Sequence, residues 1–405
     1  MKDKKIEFKN NFKPILKRKG INNKTSKDFA QFFYELKKEI KDKSKTLNVL
    51  NQNYIFNFKA LKLNKFKKFK RIAIIGMGGS ILGAEAMYNF FEEKIKKKIY
   101  FFNDIDENKI IEFKKKEVLS KVLFIIISKS GNTIETLSNV FSLNIIKKKS
   151  NNIIVISEKK NNSLYNLSKK MNLFFVEHQN SIGGRYSVLS ETGLVPAYLM
   201  GINIKKLRSS ISRFLYGKNK SFLKESVMNL ANILKSKNLN NIILLNYSPK
   251  LEKFLLWTQQ LIAESLGKKN KGFFPALSNV PKDHHSLLQL YLDGPKDKIF
   301  YVFNAELKSN IRIDSKYIDD EKKYLKNKFL NTIKIAQKNA LIKSLKKNKL
   351  PFREFNIKKI DESVLGQLFS YFMLETVLIG KLSKINPFDQ PAVEQVKIYT
   401  KQHLN

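Results

Sequence analysis

Twice in this chain an apolar run of strand length breaks straight into glycine and hydroxyl residues. The two stretches are Ile72-Ala-Ile-Ile-Gly-Met-Gly-Gly-Ser80 and Phe124-Ile-Ile-Ile-Ser-Lys-Ser-Gly-Asn-Thr133. Each then enters a segment of helical period. Continuous apolar runs of this length suit strands buried on both faces, which belong to parallel sheets covered by helices. Just beyond the carboxyl ends of such strands, bare backbone N–H groups and a helix start are presented together, an arrangement that suits an anion. Two cradles of this kind predict a phosphorylated small molecule as the ligand.

The pattern repeats along most of the chain. Strand-like runs at 72–75, 99–102, 122–127, 153–156 and 173–176 alternate with helical periods such as 81–91 and 134–146. Alternation of this kind implies right-handed βαβ units and a parallel sheet covered on both faces. After a helical stretch near 209–234 a second series follows, with strands at 241–247 and 299–303 and helices at 251–266 and 364–382. The chain is therefore expected to be α/β, with two domains that are each a doubly wound parallel sheet with helices on both faces. Residues 1–60 are expected to form an N-terminal helical arm, 61–205 the first domain, 206–385 the second, and 386–405 a C-terminal helical tail. No low-complexity linker separates the two domains, which predicts tight packing between them.

At 405 residues the chain can bury two substantial cores. Zero cysteines remove disulfides, thiolate nucleophiles and cysteine-ligated metals together. The four histidines, His178, His284, His285 and His403, include no helical His-x-x-x-His pair, so a zinc site is not expected. The N-terminus lacks the apolar core of a signal peptide and no apolar run has the length of a membrane span, so a cytoplasmic protein is expected. The net charge of +42 invites a nucleic-acid partner, with 62–71 as the best local patch of cations and aromatics. The excess is nearly all lysine, however, and runs along the whole chain beside abundant Asn, Ile and Phe. Those four residues share A/T-rich codons, so base composition accounts for the bias and a nucleic-acid partner is not expected. The positive field would still speed encounter with an anionic substrate.

The first cradle does not match the dinucleotide fingerprint, because Ile81 stands where the third glycine is needed, and no Gly-Lys-Ser/Thr follows to make a P-loop. What remains is a tight turn with Ser80 placed to cap the following helix and to bond an oxygen ligand. In the second cradle Ser128, Ser130, Asn132 and Thr133 supply short donors and Lys129 a cation. Asn132 and Glu135 have the spacing of a capping box, which puts the helix start here. In Ser181-Ile-Gly-Gly-Arg-Tyr-Ser-Val-Leu-Ser190 two glycines precede Arg185 and let a constrained loop project its guanidinium. Taken singly, a glycine turn or a surface arginine would be the ordinary explanation of each.

Together these stretches resemble the glucose-6-phosphate isomerase family, most closely its compact bacterial form. The resemblance runs from about Ile72 to Lys397. It rests on the two cradles and the Arg185 loop, with Ala263-Glu-Ser-Leu-Gly-Lys268, His285-Ser-Leu-Leu-Gln289 and Phe388-Asp-Gln-Pro-Ala-Val-Glu-Gln-Val-Lys397. It implies two sugar-isomerase domains and interconversion of glucose 6-phosphate and fructose 6-phosphate through a cis-enediol(ate). Glu264 matches the base that moves the proton between C1 and C2, and Arg185 the cation that steadies the enediolate. His285 matches a ring-opening histidine that the family brings across a dimer interface. Lys397 matches a lysine at the ring-oxygen end of the sugar, and Gln390 a hydrogen-bonding neighbour. The phosphate would lie against Ser80, Ser128, Lys129, Ser130 and Thr133, with Gly79 also at the substrate. A homodimer with a shared active site and no cofactor is implied as well.

On the apparent helix, Leu261 and Trp257 lie one and two turns before Glu264 on the same face, a setting expected to desolvate its carboxylate and raise its pKa. The chain departs from long family members in carrying Ser130-Gly-Asn-Thr133 in place of Thr-Phe-Thr-Thr, and Pro391-Ala392 in place of Trp-Gly. His284 directly precedes His285. Activity on mannose 6-phosphate as well is an alternative, since one enediol can be protonated to either epimer. A non-catalytic sugar-phosphate sensor of the same fold is another. A sensor would be expected to lack the base and histidine or to carry a helix-turn-helix, and neither feature is evident.

Overall fold

The computed structural model describes residues 5–12, 23–306 and 309–405. Two five-stranded sheets form its frame. The first contains β2 (Arg71–Ile75), β3 (Lys98–Phe102), β4 (Val122–Ile127), β5 (Ile153–Ser157) and β6 (Phe174–Glu177) in the order β3-β2-β4-β5-β6, all parallel. The chain leaves β2 for β3 on one side and returns to β4 on the other. The order therefore reverses between β2 and β4, and a crevice opens beyond their carboxyl ends, where ligands of doubly wound sheets bind. Both cradles lie at that reversal.

Period-two alternation explains why these strands read as unbroken apolar runs. Ile72, Ile74, Leu123, Ile125 and Ile127 enter the core on one face, and Ala73, Ile75, Phe124 and Ile126 enter the core on the other. The second sheet contains β7 (Asn241–Asn246), β8 (Phe274–Asn279), β9 (Lys298–Ala305) and β10 (Phe352–Ile357), which are parallel to their neighbours in the order β10-β9-β7-β8. The doubly wound α/β fold expected from the sequence is present in both halves.

Three features depart from the expectation. First, the N-terminal segment contributes a strand as well as a helix: β1 (Ile6–Asn11) pairs antiparallel with β10, so the second sheet is mixed. Ile6 and Phe8 point into the core while Glu7 and Lys9 alternate with them, a strand pattern too short to stand out among lysines. Second, β10 reads as polar in sequence, yet its polar side chains are buried, Arg353 and Asn356 with partners within the protein. Arg353, fully buried, donates to Glu375 at 3.0 Å and also to Tyr371, and Lys338 donates to Asn356 at 3.0 Å. Third, β8 carries Pro275, which a sheet tolerates at an edge, and β8 is an edge strand.

One large core spans both halves. It joins Met87 and Phe90 of the helix Leu82–Phe91 to Leu255 and Leu261 of the helix Glu252–Leu266, which packs against it. It also holds most of the helix Glu362–Leu382. Among the described residues that helix alone is long and apolar enough to cross a membrane, and its apolar stretch is buried within the protein.

Candidate active site

A cavity of about 570 Å³ occupies the crevice at the carboxyl ends of β2 and β4. Gly79, Ser80, Lys129, Ser130, Thr133, Arg185, Glu264, Gln390 and Lys397 all line it, although they come from five separate stretches of chain. Of the residues given a role by the family resemblance, Ser128 and His285 are outside its wall, as is Asn132 of the second cradle.

The first cradle meets the Arg185 loop with almost no space between backbones. A Cβ on Gly79 would lie 2.3 Å from the Gly184 carbonyl carbon and 2.5 Å from the Arg185 nitrogen, so only glycine permits this approach. Ser80 was expected to cap the following helix. The helix starts at Leu82 with Ile81 at its cap and no side-chain capping bond, and Ser80 lines the cavity instead.

In the second cradle the Ser128 side chain is buried and organises the loop from beneath. Its hydroxyl lies 2.8 Å from the Thr133 hydroxyl and accepts from the Gly131 N–H at 3.2 Å. The helix Ile134–Leu143 starts from Thr133 rather than from an Asn132 capping box. Among the described residues no side chain caps it, and Asn132 accepts from Ser163 N at 2.9 Å. The first-turn amides and the positive end of the helix thus face the cradle without a resident side-chain acceptor. Lys129 donates to the Asn180 carbonyl at 2.9 Å and pairs with Glu158 at 3.7 Å. Burial pushes its ammonium below the usual lysine range; Glu158 acts in the opposite direction, and Lys160 and Arg185 add to the lowering.

Arg185 is buried and held on every side. Its Nε donates to Ser265 Oγ at 2.8 Å, and Nη2 donates to the carbonyls of Pro387 at 2.7 Å and Asp389 at 3.0 Å. Nη1 donates to Gln390 Oε1 at 2.6 Å and to Glu264 Oε2 at 3.1 Å. Trp257 Nε1 donates to the Arg185 carbonyl at 3.1 Å, fixing the main chain beneath the guanidinium.

Trp257 and Leu261 turn into the core, while the Glu264 side chain remains 32% exposed. Its second oxygen accepts from Gln260 Nε2 at 2.8 Å. The setting is thus a carboxylate between a guanidinium and an amide, in place of the apolar pocket expected from the helix face. Such a group is oriented by its donors and keeps access to the cavity. A second cavity of about 740 Å³, lined by Lys268, Lys271 and Asp389, reaches Glu264 and Gln390 from the other flank.

Lys397 lines the first cavity from the helix Val393–Leu404, 61% exposed and paired with Glu394 at 2.6 Å. His285 stands apart, exposed in the turn Lys282–His285 beyond edge strand β8. Its neighbour His284 is engaged by Tyr247, whose hydroxyl lies 2.9 Å from Nε2, and burial lowers the pKa of that imidazole.

Gln260, Glu158, Lys160 and Asn180 also line the cavity and were not singled out from the sequence. Gln260 was legible as the residue one turn before Glu264. Glu158 and Lys160 follow β5, the next strand end beside β4, a position that the strand alternation already marked.

The sequence model of the family described as phosphoglucose isomerase matches residues 38–273. The chain is 33% identical over 396 residues to a probable glucose-6-phosphate isomerase of Methanococcus maripaludis, covering 94% of this chain and 88% of the relative. It is 33% identical over 350 residues to a glucose-6-phosphate isomerase of Methanocaldococcus jannaschii, covering 83% and 85%. Among solved structures, a hypothetical protein from Thermus thermophilus superposes with a TM-score of 0.81 at 22% identity, covering 98% of this chain and 100% of that one. A glucose-6-phosphate isomerase from Chlamydia trachomatis superposes at 0.70 with 21% identity, covering 85% and 72%.

Proposed function

The chain belongs to the phosphoglucose isomerase family, and from that premise we propose how its cavity divides the labour of the reaction. The protein is an isomerase that interconverts glucose 6-phosphate and fructose 6-phosphate, a step of glycolysis. The phosphate is held at the second cradle by Ser130, Thr133, Lys129 and the first-turn amides of the helix Ile134–Leu143, with Ser80 opposite from the first cradle. Ser128 acts by fixing Thr133. Glu264 takes the proton from C2 of the open-chain aldose and returns it to C1. Arg185 lies beside the oxygen on which negative charge develops, and Gln390 and Gln260 keep the two reacting groups in register.

A single observation supports this assignment most strongly. Among the described residues, the only carboxylate bonded to the buried Arg185 guanidinium, at 3.1 Å, projects into the cavity that also holds the hydroxyls and lysine of the second cradle. A phosphosugar sensor has no use for a base and an electrophile set side by side in this way.

Among the described residues of one protomer, no imidazole lines either cavity at Glu264. This supports a homodimer in which His285 of one copy serves the site of the other, entering by the flank that Lys268 and Asp389 border. The reading includes a cytoplasmic location, which a glycolytic substrate supports. The test is a coupled assay with glucose 6-phosphate and mannose 6-phosphate as separate substrates. Turnover of the first is expected; binding of either sugar without turnover would reverse the catalytic assignment.

A further inference from the structure

We propose that Glu158 is a resident counter-anion at the phosphate end of the cavity, and that Lys160, which it holds there, is a second cation for the substrate's phosphate. The inference rests on the phosphosugar reading and adds two residues to it.

Glu158 follows β5 directly, and its backbone N–H donates to the Lys129 carbonyl at 3.1 Å, so the ends of β4 and β5 are tied together. Its side chain is 4% exposed, with one oxygen 3.7 Å from Lys129 Nζ and the other in close ion pairing with Lys160. All three side chains line the cavity beside Ser130 and Thr133. Among the described residues, His178, buried and neutral beyond the end of β6, and Arg185 across the cavity also act on Lys129, and Glu264, Glu394 and Lys397 line the same cavity.

A carboxylate buried among phosphate donors needs an explanation, because a phosphomonoester dianion arriving beside it meets a like charge. A buried carboxylate persists only where cations pair with it, and here two do. The three groups together carry one net positive charge, facing a ligand that carries two negative charges. When the ester arrives, its oxygens share the two ammoniums with those of Glu158. The empty site is thereby kept preformed: both lysines are already turned toward the cavity and neither has to be gathered from solvent. In exchange the ligand must compete with a fixed anion, which weakens its hold and favours release. Lys160 suits this part because it is 56% exposed and free to swing, whereas Lys129 is anchored by Asn180.

The test measures KM for glucose 6-phosphate and the affinity for inorganic phosphate, at one low ionic strength, in the natural chain and in Lys160→Gln and Glu158→Gln. Lys160→Gln is expected to weaken both by roughly 3- to 10-fold, and Glu158→Gln to tighten both by a similar factor, with KM moving more than kcat. Constants unchanged in Lys160→Gln, or unchanged or weakened in Glu158→Gln, overturn the inference. Should Glu158→Gln fail to fold, the exposed Lys160→Gln arm decides alone. Calorimetric titration with inorganic phosphate reads the cluster even in a chain without turnover, so this inference and the isomerase assignment fail separately.

Discussion

Replacing Glu264 by Gln separates catalysis from architecture, because the structure shows how the frame survives the change. The carboxylate accepts one hydrogen bond from Arg185 Nη1 and one from Gln260 Nε2. An amide at 264 offers one acceptor and one donor. Its oxygen can keep the bond to Arg185, and its NH₂ needs an acceptor where Gln260 now presents a donor. Among the described residues Gln260 Oε1 is buried without a partner, so a turn of that amide brings an acceptor to the right place. Arg185 retains its bonds to Ser265, Gln390, Pro387 and Asp389 and has no reason to move. What disappears is the lone pair that takes the proton. Loss of a positioned base lowers kcat by ~10²- to 10⁴-fold, about 3–5 kcal/mol in the barrier. Giving up one partly exposed ion pair costs about 0.5–1 kcal/mol, or a fall in Tm of ~2 °C. The phosphate cradles are untouched, so KM is expected to change by less than about threefold. The coupled assay gives kcat and KM, and a thermal melt gives Tm. A variant that kept more than about a tenth of kcat would remove Glu264 as the base. One that lost more than ~5 °C would refute the compensating turn of Gln260.

Three further outcomes are expected. Gly79→Ala places a Cβ against the backbone of Gly184 and Arg185, so the two loops must part; kcat/KM is expected to fall at least ~10²-fold with about 1–3 kcal/mol of stability, and a variant of near-natural activity would contradict the close approach. Co-expression of Glu264→Gln with His285→Ala is expected to restore about a quarter of the natural sites if a two-fold dimer shares them, whereas no recovery over either variant alone would place the two residues in unshared sites. Burial lowers the pKa of His178 from 6.5 to about 4, and its Nε2 lies 3.0 Å from the Ile182 carbonyl. The unfolded chain then binds a proton below pH ~6.5 that the folded chain refuses until pH ~4, so stability present above the first value is lost on acidification, about 3 kcal/mol in all. His178→Gln, which keeps a donor for that carbonyl, is expected to remove this part of the slope in denaturant melts between pH 7 and pH 4; an unchanged slope would contradict it.

Much of this was legible in the sequence because the chemistry of a doubly wound sheet is written into the backbone. Ile72–Ile75 and the run from Val122 to Ile127 could only be strands buried on both faces, and what followed each had to stand at a carboxyl end. Arg185 and Glu264 carried no such mark. Each is an ordinary residue in isolation, and only the ordered series of motifs around them gave them roles. The strands that escaped notice did so for physical reasons: β10 hides Arg353 through a partner distant in sequence, β8 carries Pro275 at a sheet edge, and β1 is a short alternation in a lysine-rich stretch.

Ser128 and His285, which stand outside the cavity wall, mark different boundaries of such reasoning. Ser128 was within reach. It continues the alternation of Phe124 and Ile126, whose side chains enter the core beneath the helix Ile134–Leu143, so a hydroxyl at 128 had to point under that helix and bond to Thr133 rather than to a ligand. His285 was not within reach by the same means. Its turn follows β8, the outer edge of the second sheet, and no alternation within one chain carries an exposed edge turn into a crevice of the other sheet. If the histidine acts on the sugar, the distance has to be closed by a second copy. The mixing experiment therefore bears on more than oligomeric state: it decides whether the cavity of one protomer is a complete catalyst or half of one.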